Sequence, residues 1–300
     1  MATSDVTVHR DGRLTRATLT PYTFIAPAYG LFFAFMLGPA LFAIAISFFR
    51  WGGLRPPEFI GIANYQRIIA DDVFWISVRN TITYSASSLF VVMPLALLLA
   101  IALNSPTLRM KTFWRAVYFA PIVTSTVAIS QTFLMLFSRE FGLINITLMR
   151  MGVEPLDWLG SRALARIPVI IVIIWRWTGL TSIYFLAGLQ GIPADLYDAA
   201  QVDGANRLLQ FWHITLPQLR PMTLFVSVIV LIGSLQVFDE PQILTGGGPA
   251  NATRSVVQYL YLRGIEQFRF GYAATIGFIL FVSIFLLSMV QMGVFQKKTS

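Results

Sequence analysis

Six stretches of this chain stay apolar for about the 20 residues a helix needs to cross a hydrocarbon layer. They run from Phe24 to Phe49, Thr81 to Leu103, Phe113 to Phe137, Ile167 to Leu189, Met222 to Phe238 and Tyr272 to Phe295. The first is too long for the apolar region of a signal peptide, about 7–15 residues, and reads as an uncleaved transmembrane helix. Pro94 lies inside the second stretch, as membrane helices tolerate. The fifth is the shortest and begins after Pro217 and Pro221, so Pro217 is expected to end whatever precedes it. The pattern predicts an all-α membrane protein of about six transmembrane helices, with both termini on one side.

One segment between spans breaks the simple alternation. In Tyr197–Pro217, apolar residues fall at helical spacing in two short blocks split by Asp203-Gly204. Pro193 suits a first helical turn, and Asp195 and Asp198 complement the helix dipole there. Leu196, Ala199, Ala200 and Asp203 follow at i, i+3, i+4 and i+7, and Leu208, Phe211, Trp212 and Thr215 repeat the spacing. Ala199, Ala200, Gly204 and Ala205 offer almost no side-chain bulk, so another surface can approach the backbone closely. An amphipathic helix lying on lipid carries basic residues on its polar face. Here the polar residues are Asp195, Asp198, Gln201 and Asp203, which favours a protein partner.

Composition agrees with the membrane class. Charged residues make up 12% of the 300 and hydrophobic ones 56%, where soluble domains carry about 25% charged. The net charge of +8 comes without any basic run of five, so it reads as anchoring of helix ends rather than nucleic-acid binding. With no Cys, and only His9 and His213, disulfides, thiolate chemistry and a His-based metal site have no ligands to build from. Charge also sets the orientation. The short loop Asn104–Phe113 holds Arg109 and Lys111 with no acid, Arg115 follows, and the C-terminal tail carries Lys297 and Lys298. These place that loop, the 190–217 segment and both termini in the cytoplasm. The opposite loops carry as many arginines, interleaved with acids.

Those opposite loops read as ordered, punctuated by Pro56-Pro57, Gly61, Gly142 and Gly152. The third contains Gly246, Gly247, Gly248 and Pro249. A phosphate-cradling loop needs Lys-Ser/Thr after its last glycine; Pro249-Ala250 stands there instead, and no other Walker-type sequence occurs.

Asp-Ala-Ala-x-x-Asp-Gly-Ala over 198–205, followed by Phe211 and Ile214-Thr-Leu-Pro217, resembles the EAA motif of bacterial ABC-importer permease subunits. Phe59-Ile-Gly-Ile-Ala-Asn-Tyr65, Asn80-Thr81, Leu186-Ala-Gly-Leu-Gln-Gly-Ile-Pro193, Leu244-Thr-Gly-Gly-Gly-Pro249 with Thr253, and Gly271-Tyr-Ala-Ala274 resemble the sugar-type, MalF/UgpA-like branch. The resemblance covers about residues 20–295. It implies a type I importer architecture: a cytoplasmic tail over 1–20, a permease body over 21–296 with a coupling segment at 191–217, and a tail over 297–300, in the bacterial inner membrane. It further implies that Asp198, Ala199, Ala200, Asp203, Gly204, Ala205, Phe211 and Pro217 dock in a groove of an ATPase subunit. Asp198 stands where the family has Glu, one methylene shorter. The implied partners are a second, homologous permease, two copies of the ATPase and an extracytoplasmic solute-binding protein, which the Gly246–Pro249 loop would face. ATP and Mg belong to the ATPase; this chain is expected to carry no cofactor, metal or catalytic residue of its own.

Polar residues inside the spans remain. Arg176, between Trp175 and Trp177, costs about 2.5–3.5 kcal/mol in lipid on insertion scales. It therefore faces an acid on another helix or chain, or a water-filled substrate path. Gln131 and Gln236 can bind hydroxyl-rich solutes or join helices. Asp239 and Glu240, ending the fifth span, read as interface residues. The function implied is ATP-driven import of a sugar, oligosaccharide or polyol phosphate. An autonomous secondary transporter is the alternative, although such carriers show internal repeats and ion-coupling groups that are not evident here. No constellation for an embedded enzyme appears.

Overall fold

The computed structural model describes residues 16–296. His9, Arg10, Arg13, Lys297 and Lys298, and with them most of the expected tails, lie outside the described residues. Among the described residues, the first helix runs Arg16–Phe32.

Among the described residues, five helices are long and apolar enough to span a membrane: Pro21–Ile46, Asp72–Asn104, Arg166–Gln190, Arg220–Thr245 and Phe270–Gly293. The first stops at Ile46, and Phe49, expected inside it, pairs with Phe59 in a two-stranded hairpin. The expected third span is broken. Lys111–Val123 and Thr126–Leu136 meet at 98°, because Thr124 and Ser125 take extended backbone angles (ψ 140° and 129°). The run Ile122-Val123-Thr124 is β-branched and follows Pro121, so helix propensity is lowest there.

Prolines inside spans are absorbed rather than obeyed. Wide π turns at Phe33–Leu37, Ser88–Val92 and Phe211–Thr215 each sit just before a proline: Pro39, Pro94 and Pro217. In each, the N–H of the residue preceding the proline donates to the carbonyl five residues back: Gly38 to Phe33, Met93 to Ser88 and Leu216 to Phe211. The wider turn relieves the clash between the proline ring and the preceding turn. Pro217 therefore does not end its helix. Helical structure continues from Arg207 to Gln218, and the fifth span starts after the single residue Leu219, at Arg220, with Pro221 in its first turn.

The spans alternate between two faces. One carries the 191–217 segment and the short loop after Asn104. The other, the loop face, carries the hairpin, the Gly246–Pro249 loop and the start of the last span. The core between them is apolar. Tyr84, Val169, Val172, Ile173 and Leu244 pack with Ile129 of the broken span near the loop face. Ala96, Ala100, Phe185, Leu186 and Val226 pack nearer the segment. Small residues allow close crossings: a Cβ on Gly179 would lie 2.0 Å from the Tyr118 carbonyl oxygen of the neighbouring helix.

The motif residues at the loop face fold into two buried polar joints. In one, Asn64 Nδ2 donates to the carbonyls of Ser47 and Phe49, Tyr65 bonds Ser47 Oγ, and Thr275 Oγ1 donates to Ser47 O. Gly271 closes this joint, since a Cβ there would sit 1.9 Å from Phe49 O. Gly271→Ala is expected to cost about 1–3 kcal/mol through forced backbone displacement. Gly30→Ala, with nothing within 4 Å of its Cβ position, should not destabilise. Thermal unfolding in detergent compares the two, and equal losses would remove the role assigned to Gly271.

In the other joint, Asn80 Nδ2 donates to the carbonyls of Asn251 and Arg254, Tyr84 OH donates to Thr253 O, and Thr81 Oγ1 accepts from Val256 N. Thr253 Oγ1 bonds Thr245 Oγ1 and Gly248 O. The Gly246–Pro249 loop is thus filled from within by its own chain. Gly246 (φ +60°) ends the preceding helix in the left-handed region that glycine adopts without strain.

Candidate functional site

The 191–217 segment folds as two short helices joined by a hydrogen-bonded turn. The first, Ala194–Val202, has Pro193 as its N-cap, one position earlier than a first-turn proline, and Asp195 in its first turn. It ends in a complete Schellman motif. Ala205 N donates to Ala200 O at 2.8 Å, Gly204 N donates to Gln201 O at 3.0 Å, and Gly204 holds φ +79°. Asn206 restarts the helix, its Oδ1 accepting from Leu209 N at 2.9 Å. Tyr197 OH and the buried Thr215 Oγ1, 2.9 Å apart, tie the first helix to the second. Neither Asn206 nor the Tyr197–Thr215 pair was singled out from sequence; the Asn before the helical run was the available signal.

This hairpin presents the predicted small-residue surface outward. Asp198, Ala199, Asp203 and Gly204 are exposed, and Ala200, Ala205, Phe211 and Pro217 are half-buried. The Cβ position on Gly204 meets nothing within 4 Å. The acidic side chains Asp195, Asp198 and Asp203 share the exposed surface with the apolar Leu196, Val202 and Leu208. Behind it, a cleft of about 630 Å³ separates the segment from the ends of the second and fourth spans, lined by Asn104, Gln190, Tyr197, Gln201 and Arg207 among others.

Of the three intramembrane candidates, Arg176 has a buried partner on another helix. Arg176 Nη1 bonds Glu240 Oε1 at 3.2 Å, and Trp177 Nε1 donates to the same oxygen at 3.1 Å. The Arg176 guanidinium also lies 5.2 Å from the Trp177 ring centroid. Glu240, read as an interface residue, is in fact turned inward and 3% exposed. Gln131 and Gln236 are exposed on this chain. Gln236 caps the helix Arg220–Leu235 and lies inside the span Arg220–Thr245, as expected.

A polar cluster at the loop face had no sequence signal beyond Asp71 preceding a helix. Asp71 caps the second span through Val73 and Phe74 N–H, accepts from Tyr259 and Tyr272 OH, and lies 3.6 Å from Arg263. Burial works to raise its pKa. The hydrogen bonds from Tyr259, Tyr272 and Phe74 and the Arg263 charge outweigh it and hold the carboxyl below its ordinary value. Burial and the hydrogen bond to Asp71 push the Tyr259 phenol up to about 12.

Residues 92–300 match the model of the binding-protein-dependent transport system inner membrane component. The chain is 36% identical over 276 residues to the arabinooligosaccharides transport system permease protein AraP of Bacillus subtilis (strain 168), covering 91% of this chain and 87% of that one. It is 37% identical over 275 residues to the lactose transport system permease protein LacF of Rhizobium radiobacter, covering 90% and 92%. Its fold is similar to a chain in the crystal structure of a bacterial ABC transporter involved in the import of the acidic polysaccharide alginate: TM-score 0.83, 24% identity, 95% of this chain and 98% of that one. An apolar multi-span body, the 191–217 hairpin and near-full-length similarity to two transport permeases converge, and the chain belongs to the inner membrane components of binding-protein-dependent transport systems.

Proposed function

We propose that this chain is the membrane-spanning permease subunit of an ATP-driven importer for a sugar or oligosaccharide. Near-full-length similarity to permeases named for arabinooligosaccharide and lactose transport carries the reading. The outward-facing 191–217 hairpin supports it. The hairpin is braced by its Schellman turn and the Tyr197–Thr215 bond, so closure of an ATPase gripping Asp198–Ala205 would move the fourth and fifth spans, to which the hairpin is joined at both ends.

The partners in this reading are two copies of the ATPase, which hold ATP and Mg, a second permease of the same family and an extracytoplasmic solute-binding protein. Gln131 and Gln236 favour the second permease. Polar groups on the flanks of apolar spans are satisfied by a neighbouring helix or a hydrated path, not by lipid. The 191–217 face and both termini would be cytoplasmic, with the loop face toward the binding protein. A pocket between the second, fourth and fifth spans is lined by the rings of Trp177 and Tyr184 together with Ser88, Thr181 and Ser234. Aromatic faces with a few hydroxyls suit the apolar side of a pyranose ring.

The test is solute uptake into proteoliposomes. Uptake that requires the ATPase, the binding protein and internal ATP is the expected result. Uptake by this chain alone, driven by an ion gradient, would establish secondary transport instead.

A further inference from the structure

The loop face carries a basic cleft that has no part in the transport reading. About 440 Å³ in volume, it opens between the hairpin, the helix Ala63–Ile69 and the start of the last span, and is lined by Arg50, Trp51, Arg67, Arg269 and Tyr272 among others. Glu58 matches Arg50 at 3.1 Å. Among the described residues, no carboxylate lies within 4 Å of Arg67 or Arg269. Arg67 instead stands over the Tyr272 ring, 5.4 Å from its centroid. Asp71, which accepts from the Tyr272 hydroxyl, is already matched by Arg263 and two tyrosines. The cleft therefore holds three guanidinium groups against one carboxylate.

Its depth narrows the choice of ligand. Arg269 immediately precedes Phe270, where the last span begins, and Arg50 follows the end of the first span at Ile46 by four residues. Both lie within a few residues of the end of an apolar span, the level of lipid headgroups. Trp51 and Tyr272 are the amphipathic rings found at that level. An acidic loop of a soluble partner would meet the exposed Arg55 on the hairpin before reaching this depth.

We propose that the cleft binds the phosphate of a phospholipid headgroup, with Arg67 and Arg269 making the charge-assisted hydrogen bonds and Trp51 and Tyr272 packing against the lipid below it. The site would fasten the hairpin and the start of the last span to the bilayer surface.

Native mass spectrometry of the full chain, purified in detergent and titrated with phosphatidylglycerol, tests this. The wild type should retain one lipid that Arg67→Gln/Arg269→Gln binds on the order of tenfold more weakly. Arg55→Gln, which removes a charge from the same hairpin outside the cleft, should behave as wild type. Arg67→Lys/Arg269→Lys keeps the charge and should restore retention, which separates lost binding from lost folding. Equal retention by the wild type and the double Gln variant overturns the proposal, and so does an equal loss in Arg55→Gln. Displacement of the lipid by equimolar inorganic phosphate would make this a free-phosphate site and also overturns it. Unchanged lipid retention with weakened capture of the solute-binding protein would overturn it in favour of a protein-docking site.

Discussion

Glu240→Gln is expected to destabilise this chain by about 3 kcal/mol, the lower end of the cost of breaking a buried ion pair. The substitution keeps the shape of the side chain and its carbonyl acceptor, so Trp177 Nε1 retains a partner. What it removes is the charge facing Arg176, which then stands uncompensated between apolar helices. The lower end applies because the Arg176 side chain keeps 16% exposure while Glu240 has 3%. Replacing both groups by apolar ones should cost less than removing either, since desolvation of the pair consumes most of its Coulombic gain. Arg176→Met/Glu240→Leu is therefore expected to recover most of the loss seen in Glu240→Gln. Denaturant unfolding in micelles, arranged as a double-mutant cycle, measures the coupling. Simple additivity would show that the two side chains do not depend on each other. Uptake by the double variant then decides between the two roles open to Arg176. A stable protein that still transports needs the arginine only for packing, and a stable one that does not needs it in the path.

The spans were legible because hydrocarbon imposes a length that composition reveals. The fourth, expected over Ile167–Leu189, runs Arg166–Gln190. The second was legible only at its end. Its helix starts at Asp72, nine residues before the apolar run, because Asp71 caps it and the first turns carry Ser77, Arg79 and Asn80. Hydropathy discards these residues, although the N-cap signal was there to be read. The break at Thr124-Ser125 was hidden for the opposite reason: the apolar run continues across it, and hydropathy does not weigh Pro121 and the β-branched Ile122-Val123-Thr124 that mark the place. Pro217 was misjudged because the usual stop rule assumes an α-helix, and a π turn removes the clash on which the rule rests. The contacts that organise the polar interior leave no local trace. Arg176 and Glu240 are 64 residues apart, and Asn80 and Asn251 are 171 apart. Each of those motifs was visible alone, and the fold supplies the fact that they complete one another.

Gly204→Asp is expected to abolish ATP-dependent uptake while the protein still folds and inserts. The structure makes it a clean substitution. Gly204 sits at φ +79°, a region that Asp and Asn enter more readily than other side chains. A Cβ there meets nothing within 4 Å of its own chain, so the Schellman turn can survive at a cost of roughly 1–2 kcal/mol. An effect on transport must then come from what approaches the hairpin from outside. A partner surface fitted to a residue with no side chain would be held off by the new carboxylate, and Asp198 and Asp203 already make that surface acidic. Gly204→Asn carries the same bulk and backbone cost without the charge, so it separates steric exclusion from repulsion. The measurements are co-purification of the ATPase subunit with the variant, and solute uptake with stimulated ATP hydrolysis in proteoliposomes. Loss of all three, with unfolding in detergent close to that of the wild type, places the partner on this surface. Wild-type transport by Gly204→Asp would mean that no protein packs against the turn, and the coupling role of residues 198–205 would have to be abandoned.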